Sequence, residues 1–460
     1  MRRIVWVLLF SAGACLAQGV EGTWQGTLDA GAVKLRLALH ISKDDQGALT
    51  SKLDSIDQGA MGIPVAKTTF TDNKLHLDMP LLHASFEGTL QANGEIAGTF
   101  TQGAALPLTL KRVEKAETLN RPQNPKPPYP YDAVDVGYEN KPGGVTLAGT
   151  LTVPRGSGPF AAAILITGSG PQDRDETLMG HKPFWVIADS LTRRGIAVLR
   201  LDDRGVGKST GNSTRATITD MAGDVLAGVE FLKGRKQIDA KRIGVIGHSE
   251  GGIVAPLTAS MSSDIAFVVM LAGTGVPGDQ VLALQGEMVA KAAGASDDAI
   301  AANRTIQKTL LDVMRAERDE KDEKVVTKQL RQAWAEVKPK GAGADVDKMM
   351  DAQIAGIVSP EIRSFLYHDP APVLRSLQVP VLALNGSRDI QVPPNQNLPA
   401  IVAALTAGGN NDFMVAELPG LNHLFQKCTT CAVSEYSQLE ETFSPAALEI
   451  IGDWVTRHSH

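Results

Sequence analysis

GVIGHSEGG, residues 244–252, carries an apolar run directly into a serine fenced by glycines. Most serines in folded proteins cap helices, shape turns or sit in water. Here the run RIGVIG reads as a buried strand, and the residues after Ser249 read as the start of a helix. A serine at so tight a turn has strained backbone angles, and its neighbours lie close to adjacent strands. Small residues are therefore needed on both sides, and Gly247 and Gly251 supply them. The pattern predicts a serine hydroxyl held out at the carboxyl end of a strand.

Working outward from Ser249, the runs AAAILIT, IAVLRLD, IAFVVMLA and VPVLALN are continuously apolar, as strands buried on both faces of a parallel sheet must be. Between them, FWVIADSLTRRG and MAGDVLAGVEFLKGR place apolar residues at helical spacing and end at glycine. The alternation predicts a doubly wound, mostly parallel α/β sheet. VTLAGTLTVP reads as an antiparallel strand that opens it.

A serine hydroxyl needs a base to take its proton and an acid to orient that base. Asp389 follows the strand VPVLALN, and His423 lies in the loop after the next one, both at carboxyl strand ends where such sheets build their sites. Downstream of Asp389 the other histidines are His458 and His460, in the tail. The rival acid Asp412 precedes its strand and so belongs to the opposite end of the sheet. An oxyanion intermediate requires two backbone donors. The N–H of Glu250 is one expectation and that of Ser169, between Gly168 and Gly170, is the other; the carboxylate of Glu250 has no assigned task. The run Gln172–Glu176 and the turn around Asp202 and Arg204 are expected to form ion pairs that brace the rim. GVGKS lacks the spacing of a phosphate loop, and His248 is read as a packed neighbour.

The rest of the chain divides by composition. Residues 20–115 alternate apolar and polar side chains in short runs broken by Asp, Asn and Gly turns, which predicts a small antiparallel β-barrel or sandwich. Residues 116–131 hold a proline-rich stretch read as a linker, and residues 132–460 form the α/β unit. A charged helical insert at about 278–368 interrupts that unit as a candidate lid. Its Leu310, Leu311, Met314, Val326, Leu330 and Trp334 are read as a packing face, with no cofactor site implied.

Residues 1–17 have the layout of an export signal, Arg2 and Arg3 before an apolar run and small residues after it, with cleavage expected near Ala17. Lipidation at Cys15 is the alternative. Export to the periplasm or beyond suits a local disulfide between Cys428 and Cys431, and no partner ligands stand near that pair for a metal. No run is long and uncharged enough for a transmembrane segment. The formal charge of -6, with bases scattered among acids, gives no surface for nucleic acid.

GSGPQDRDE from Gly168, DDRGVGKS from Asp202, GHSEGG from Gly247 and LNHLF from Leu421 together resemble the α/β-hydrolase superfamily, and within it exported bacterial serine esterases. The resemblance runs from about Tyr131 to the C-terminus. It implies an α/β-hydrolase fold with a helical cap, a triad of Ser249, Asp389 and His423, no cofactor, and a small-molecule ester as substrate, cleaved through an acyl-serine. A serine peptidase or an acyl thioesterase of the same superfamily is the alternative. A prolyl-oligopeptidase-like enzyme is disfavoured because the β segment is too short for a propeller. A non-enzymatic reading makes the β segment a carbohydrate- or envelope-binding module; such a module looks like one attached ahead of similar esterases.

Overall fold

The computed structural model describes residues 19–29 and 34–459; the expected export signal with Ala17 and Cys15, and His460, lie outside them. The chain separates into two compact units, up to Leu119 and from Asn120 onward.

The first unit is one antiparallel sheet of nine strands: β1 (Gly22–Asp29), β2 (Lys34–Lys43), β3 (Leu49–Ser55), β4 (Ala60–Val65), β5 (Lys67–Thr71), β6 (Lys74–Met79), β7 (Ala84–Leu90), β8 (Ile96–Gln102) and β9 (Ala104–Val113). Its order, β4-β3-β2-β1-β9-β8-β7-β6-β5, curls until Thr68 on β5 donates to Ser51 on β3 at 2.9 Å, giving a nearly closed barrel. Period-two alternation turns Trp24, Leu37, Leu39, Leu75, Leu77, Phe86 and Phe100 inward, where they fill the interior. A side chain at Gly98 would meet the carbonyl of Glu87 at 2.1 Å, so glycine permits the close strand approach that the curl demands.

The second unit is built on strands β10 (Tyr131–Asn140), β11 (Val145–Pro154), β12 (Phe160–Ile166), β13 (Ala197–Leu201), β14 (Ile238–His248), β15 (Ile265–Leu271), β16 (Val381–Gly386) and β17 (Phe413–Leu418). They are ordered β10-β11-β13-β12-β14-β15-β16-β17, antiparallel up to β13 and parallel beyond it. On β12, Ala162, Ile164 and Ile166 enter one core while Ala161, Ala163 and Leu165 enter the other, which is why that run is apolar throughout. Helices α1 (Pro183–Arg193) and α11 (Pro445–His458) cover one face. Helices α2 (Ile218–Lys233), α3 (Gly251–Met261), α9 (Pro370–Ser376) and α10 (Pro394–Ala407) cover the other.

Between β15 and α9 stand the five helices of the insert: α4 (Gly278–Ala292), α5 (Asp297–Ala316), α6 (Glu323–Val337), α7 (Ala344–Ile357) and α8 (Pro360–Tyr367). Leu310, Leu311, Met314, Val326, Leu330 and Trp334 are buried together in a separate cap core. The proline-rich stretch read as a linker at residues 116–131 falls in the second unit from Asn120 on. Arg121 donates to the carbonyls of Leu439, Met179 and Ser437, and Gln123 binds the backbone of Thr442 and Phe443. Polar side chains on either side of Pro122 make these bonds and fasten this part of the segment to the second unit.

Candidate active site

Ser249 stands between β14 and α3 with φ of 54°, a left-handed conformation that a non-glycine residue holds only where its surroundings enforce it. The enforcement is visible in the flanking glycines. A Cβ at Gly247 would meet the carbonyl oxygen of Gly251 at 1.8 Å, and one at Gly251 would meet those of Ile166 and Thr167 at 2.2 and 2.6 Å. The backbone N–H of Ser249 is anchored to the carbonyl of Leu271 on the neighbouring strand.

Asp389 and His423 come together although they lie on different loops. Nδ1 of His423 donates to Oδ2 of Asp389 at 2.8 Å, and the other carboxylate oxygen accepts the N–H groups of Gln391 and Val392 at 2.8 and 2.9 Å. Asp389 is 1% exposed, so its orientation is fixed. With Nδ1 committed, Nε2 of His423 is the nitrogen free to accept a proton. His423 and Ser249 line the same cavities. Among the described residues no hydrogen bond joins Ser249 Oγ to the imidazole, the looser arrangement common in sites without substrate. The rival groups pair with each other elsewhere: Nε2 of His458 lies 3.3 Å from Asp412, and the imidazole stacks on Trp454 at the end of α11.

The loop expected to supply an oxyanion donor is held from two sides. The N–H of Gly168 donates to Glu176 at 2.8 Å and that of Gly170 to Glu361 at 3.2 Å. Between them, the N–H of Ser169 has no protein acceptor among the described residues, and neither does that of Glu250 at the start of α3. Two unpaired amides beside a serine at an elbow can receive developing negative charge.

A family model described as serine aminopeptidase, S33, matches residues 184–338, a span that holds Ser249 and ends before Asp389 and His423. Esterase EstD of Thermotoga maritima is 29% identical over 348 residues, which is 74% of each chain. Together with the sheet order and the elbow, these fit one fold. The chain has the α/β-hydrolase fold. Among solved structures it also aligns with the α/β hydrolase GrgF from Penicillium sp. sh18, at 17% identity and a TM-score of 0.46 over 71% of this chain and 99% of that one. The Pyrococcus furiosus esterase Pf2001 aligns at 17% identity and a TM-score of 0.44, over 75% and 99%.

Several residues of the hydrolase's site have tasks that its sequence does not disclose. His248 is more than a packed neighbour. Its Nδ1 faces Glu176 Oε1 at 2.9 Å and its Nε2 faces the backbone carbonyl of His423 at 3.0 Å. The carbonyl accepts, and an ionised Glu176 accepts as well, an arrangement that favours the doubly protonated ring. Burial pushes its pKa down, but the Glu176 charge and hydrogen bond, with the His423 carbonyl, outweigh burial and leave it raised. Glu176 thus ties the oxyanion loop to the elbow, and His248 ties the elbow to the His423 loop. The one sequence signal is placement, Glu176 closing QDRDE and His248 adjoining the serine.

The rim is braced as the charge pattern suggests, with partners that could not be read in advance. Arg174 forms a two-pronged pair with Asp202 at 3.0 and 2.6 Å, Arg204 binds Asp224, and Arg200 binds Asp175. Asp203 accepts from Thr167 Oγ1 at 2.7 Å and from the N–H of Gln172 at 2.8 Å beneath the oxyanion loop. Burial pushes its pKa up to about 7 despite those bonds. Cys428 and Cys431 form a disulfide beyond the His423 loop. Among the described residues no His, Cys, Asp and Glu cluster is placed to hold a metal ion, and no helix is long and apolar enough to cross a membrane.

Two cavities meet at Ser249. One, of about 180 Å³, is lined by Gln172, Leu178 and Leu424 and is the more open. The other, of about 120 Å³, runs beneath the cap between α4 and α8 and is lined by Val281, Leu282, Ile362 and Phe365.

Proposed function

We propose that this hydrolase cleaves carboxylic esters through an acyl-enzyme formed on Ser249. The observation that carries the reading is that Ser249, held at a left-handed elbow, shares its cavity with His423, whose ring is oriented by a buried carboxylate. Ser249 Oγ attacks the ester carbonyl carbon as its proton passes to Nε2 of His423. The oxygen that becomes negative is received by the N–H groups of Ser169 and Glu250. The imidazolium, stabilised by Asp389, then protonates the leaving alcohol. Water repeats the sequence on the acyl-serine, giving its proton to His423 and releasing the acid.

The relative named an esterase supports ester chemistry, whereas the family model's description favours a peptidase reading. Turnover of p-nitrophenyl esters of increasing chain length, beside matched anilides and thioesters, separates the two. Ester hydrolysis is expected to dominate, and replacing Ser249 with alanine should lower it on the order of 10⁵-fold with the fold retained. An alanine variant that still turns esters over removes Ser249 from the mechanism.

We also propose that the enzyme works outside the cytoplasm. The signal-like residues 1–17 and the disulfide of Cys428 and Cys431 support this, since thiols stay reduced in the cytoplasm. Cell fractionation with thiol labelling tests it.

A further inference from the structure

The cavity under the cap is lined by apolar side chains together with polar ones, Gln285 and Gln391 among them. Glu250 and Thr274 line it, 4% and 2% exposed. Thr274 Oγ1 is buried without a hydrogen-bond partner, and no hydrogen bond among the described residues contributes to the electrostatics of the Glu250 carboxyl. Buried polar groups are nearly always paired in folded proteins, and leaving one unpaired is costly. The unpaired Thr274 hydroxyl, in a cavity shared with Ser249 and Glu250, is therefore better accounted for by something that enters the cavity than by the fold.

The occupant's chemistry follows from the charges nearby. Burial, then the carboxyls of Glu361 and Asp203, push the Glu250 pKa up to about 8, which favours the uncharged acid, able both to donate and to accept a hydrogen bond. Arg174 and Arg204 are committed to Asp202 and Asp224, and no lysine or arginine lines the cavity. A carboxylate on the ligand is thus unwelcome, while a hydroxyl is matched by a neutral acid and a threonine hydroxyl. Val281, Leu282, Ile362 and Phe365 suit the hydrocarbon that carries it.

Of the two cavities, the enclosed one fits the group that remains bound through both chemical steps, and the open one lets the alcohol depart. We propose that the hydrolase selects hydroxyacyl esters, the acyl hydroxyl being held by the Glu250 carboxyl and Thr274 Oγ1 beneath the cap. This inference rests on the ester reading above.

The test compares kcat/KM for p-nitrophenyl 3-hydroxybutyrate and p-nitrophenyl butyrate at pH 7 in the full chain. The wild type is expected to favour the hydroxy ester about tenfold, the scale of one or two hydrogen bonds. Thr274→Val and Glu250→Leu should each shrink the ratio, whereas Glu250→Gln, which also donates and accepts, should keep most of it. Reading the ratio cancels any loss of turnover common to both esters. Equal rates in the wild type, or a ratio untouched in both Thr274→Val and Glu250→Leu, overturn the inference while leaving ester hydrolysis standing. Preference for the 3-aminobutyrate ester over the hydroxy ester also overturns it, because Glu250 would then act as a charge. Hydrolysis of none of these esters strikes the ester reading itself.

Discussion

Replacing Glu176 with glutamine isolates the buried ion pair that ties three loops together. Oε1 of Glu176 accepts from both His248 Nδ1 and the Gly168 N–H, at 2.9 and 2.8 Å. An amide cannot reproduce this with a neutral imidazole. If its oxygen faces the ring, His248 spends its one proton there and releases the His423 carbonyl. If its nitrogen faces the ring, the Gly168 N–H meets a donor. Side chains 7% and 6% exposed are little screened, and removing one partner from a buried pair costs about 3 kcal/mol at the lower end of the usual range. We expect Glu176→Gln to lose about 3 kcal/mol in urea unfolding followed by tryptophan fluorescence, and its ester kcat to fall about tenfold as the oxyanion loop and His423 loosen. A variant within 0.5 kcal/mol of wild type, by the same about 3 kcal/mol yardstick, and with unchanged kcat would refute the reasoning.

The raised pKa of His248 gives a pH signature. Its contribution to stability should be complete below the unfolded value of about 6.5 and fade as the pH rises through the higher folded value, so the gap in unfolding midpoint between wild type and His248→Gln should narrow from pH 6 to pH 9; a constant gap contradicts the imidazolium. Gly251→Ala should lower stability by about 3 kcal/mol, because its Cβ would press on two strand carbonyls that cannot yield, and near-wild-type unfolding would remove the steric argument. Arg174→Ala leaves Asp202, 6% exposed, without its partner, and should cost about 3 kcal/mol in the same assay; unchanged stability and activity would dispose of the bracing role.

What could be read from the sequence and what could not divide along a physical line. Runs such as AAAILIT announce themselves because burial on both faces leaves no room for polar residues. The elbow is equally legible, since its sterics act within a few residues of Ser249. Asp389 and His423 were narrowed down by strand order alone. The pairing of Glu176 with His248, by contrast, depends on two loops meeting across 72 residues of chain, and that of Gly170 with Glu361 across 191. No local pattern encodes such distances. The cap illustrates both cases: the stripe from Leu310 to Trp334 marked amphipathic helices, but nothing in it foretold that α8 would deliver a carboxylate to the oxyanion loop.

That delivery changes what the cap can be. Glu361 lies on α8 and accepts the Gly170 N–H, while Ile362 and Phe365 on the same helix line the enclosed cavity. A helix of eight residues cannot shift its apolar face without moving Glu361 with it. In the proposed mechanism, whatever fills the cavity would act on the loop that carries the Ser169 amide, and an acyl group that seats α8 well would also seat the proposed oxyanion donor. Binding energy from the acyl chain is in this way available to the step in which charge develops on the carbonyl oxygen, so a poorly fitting acyl group should lose kcat as well as KM.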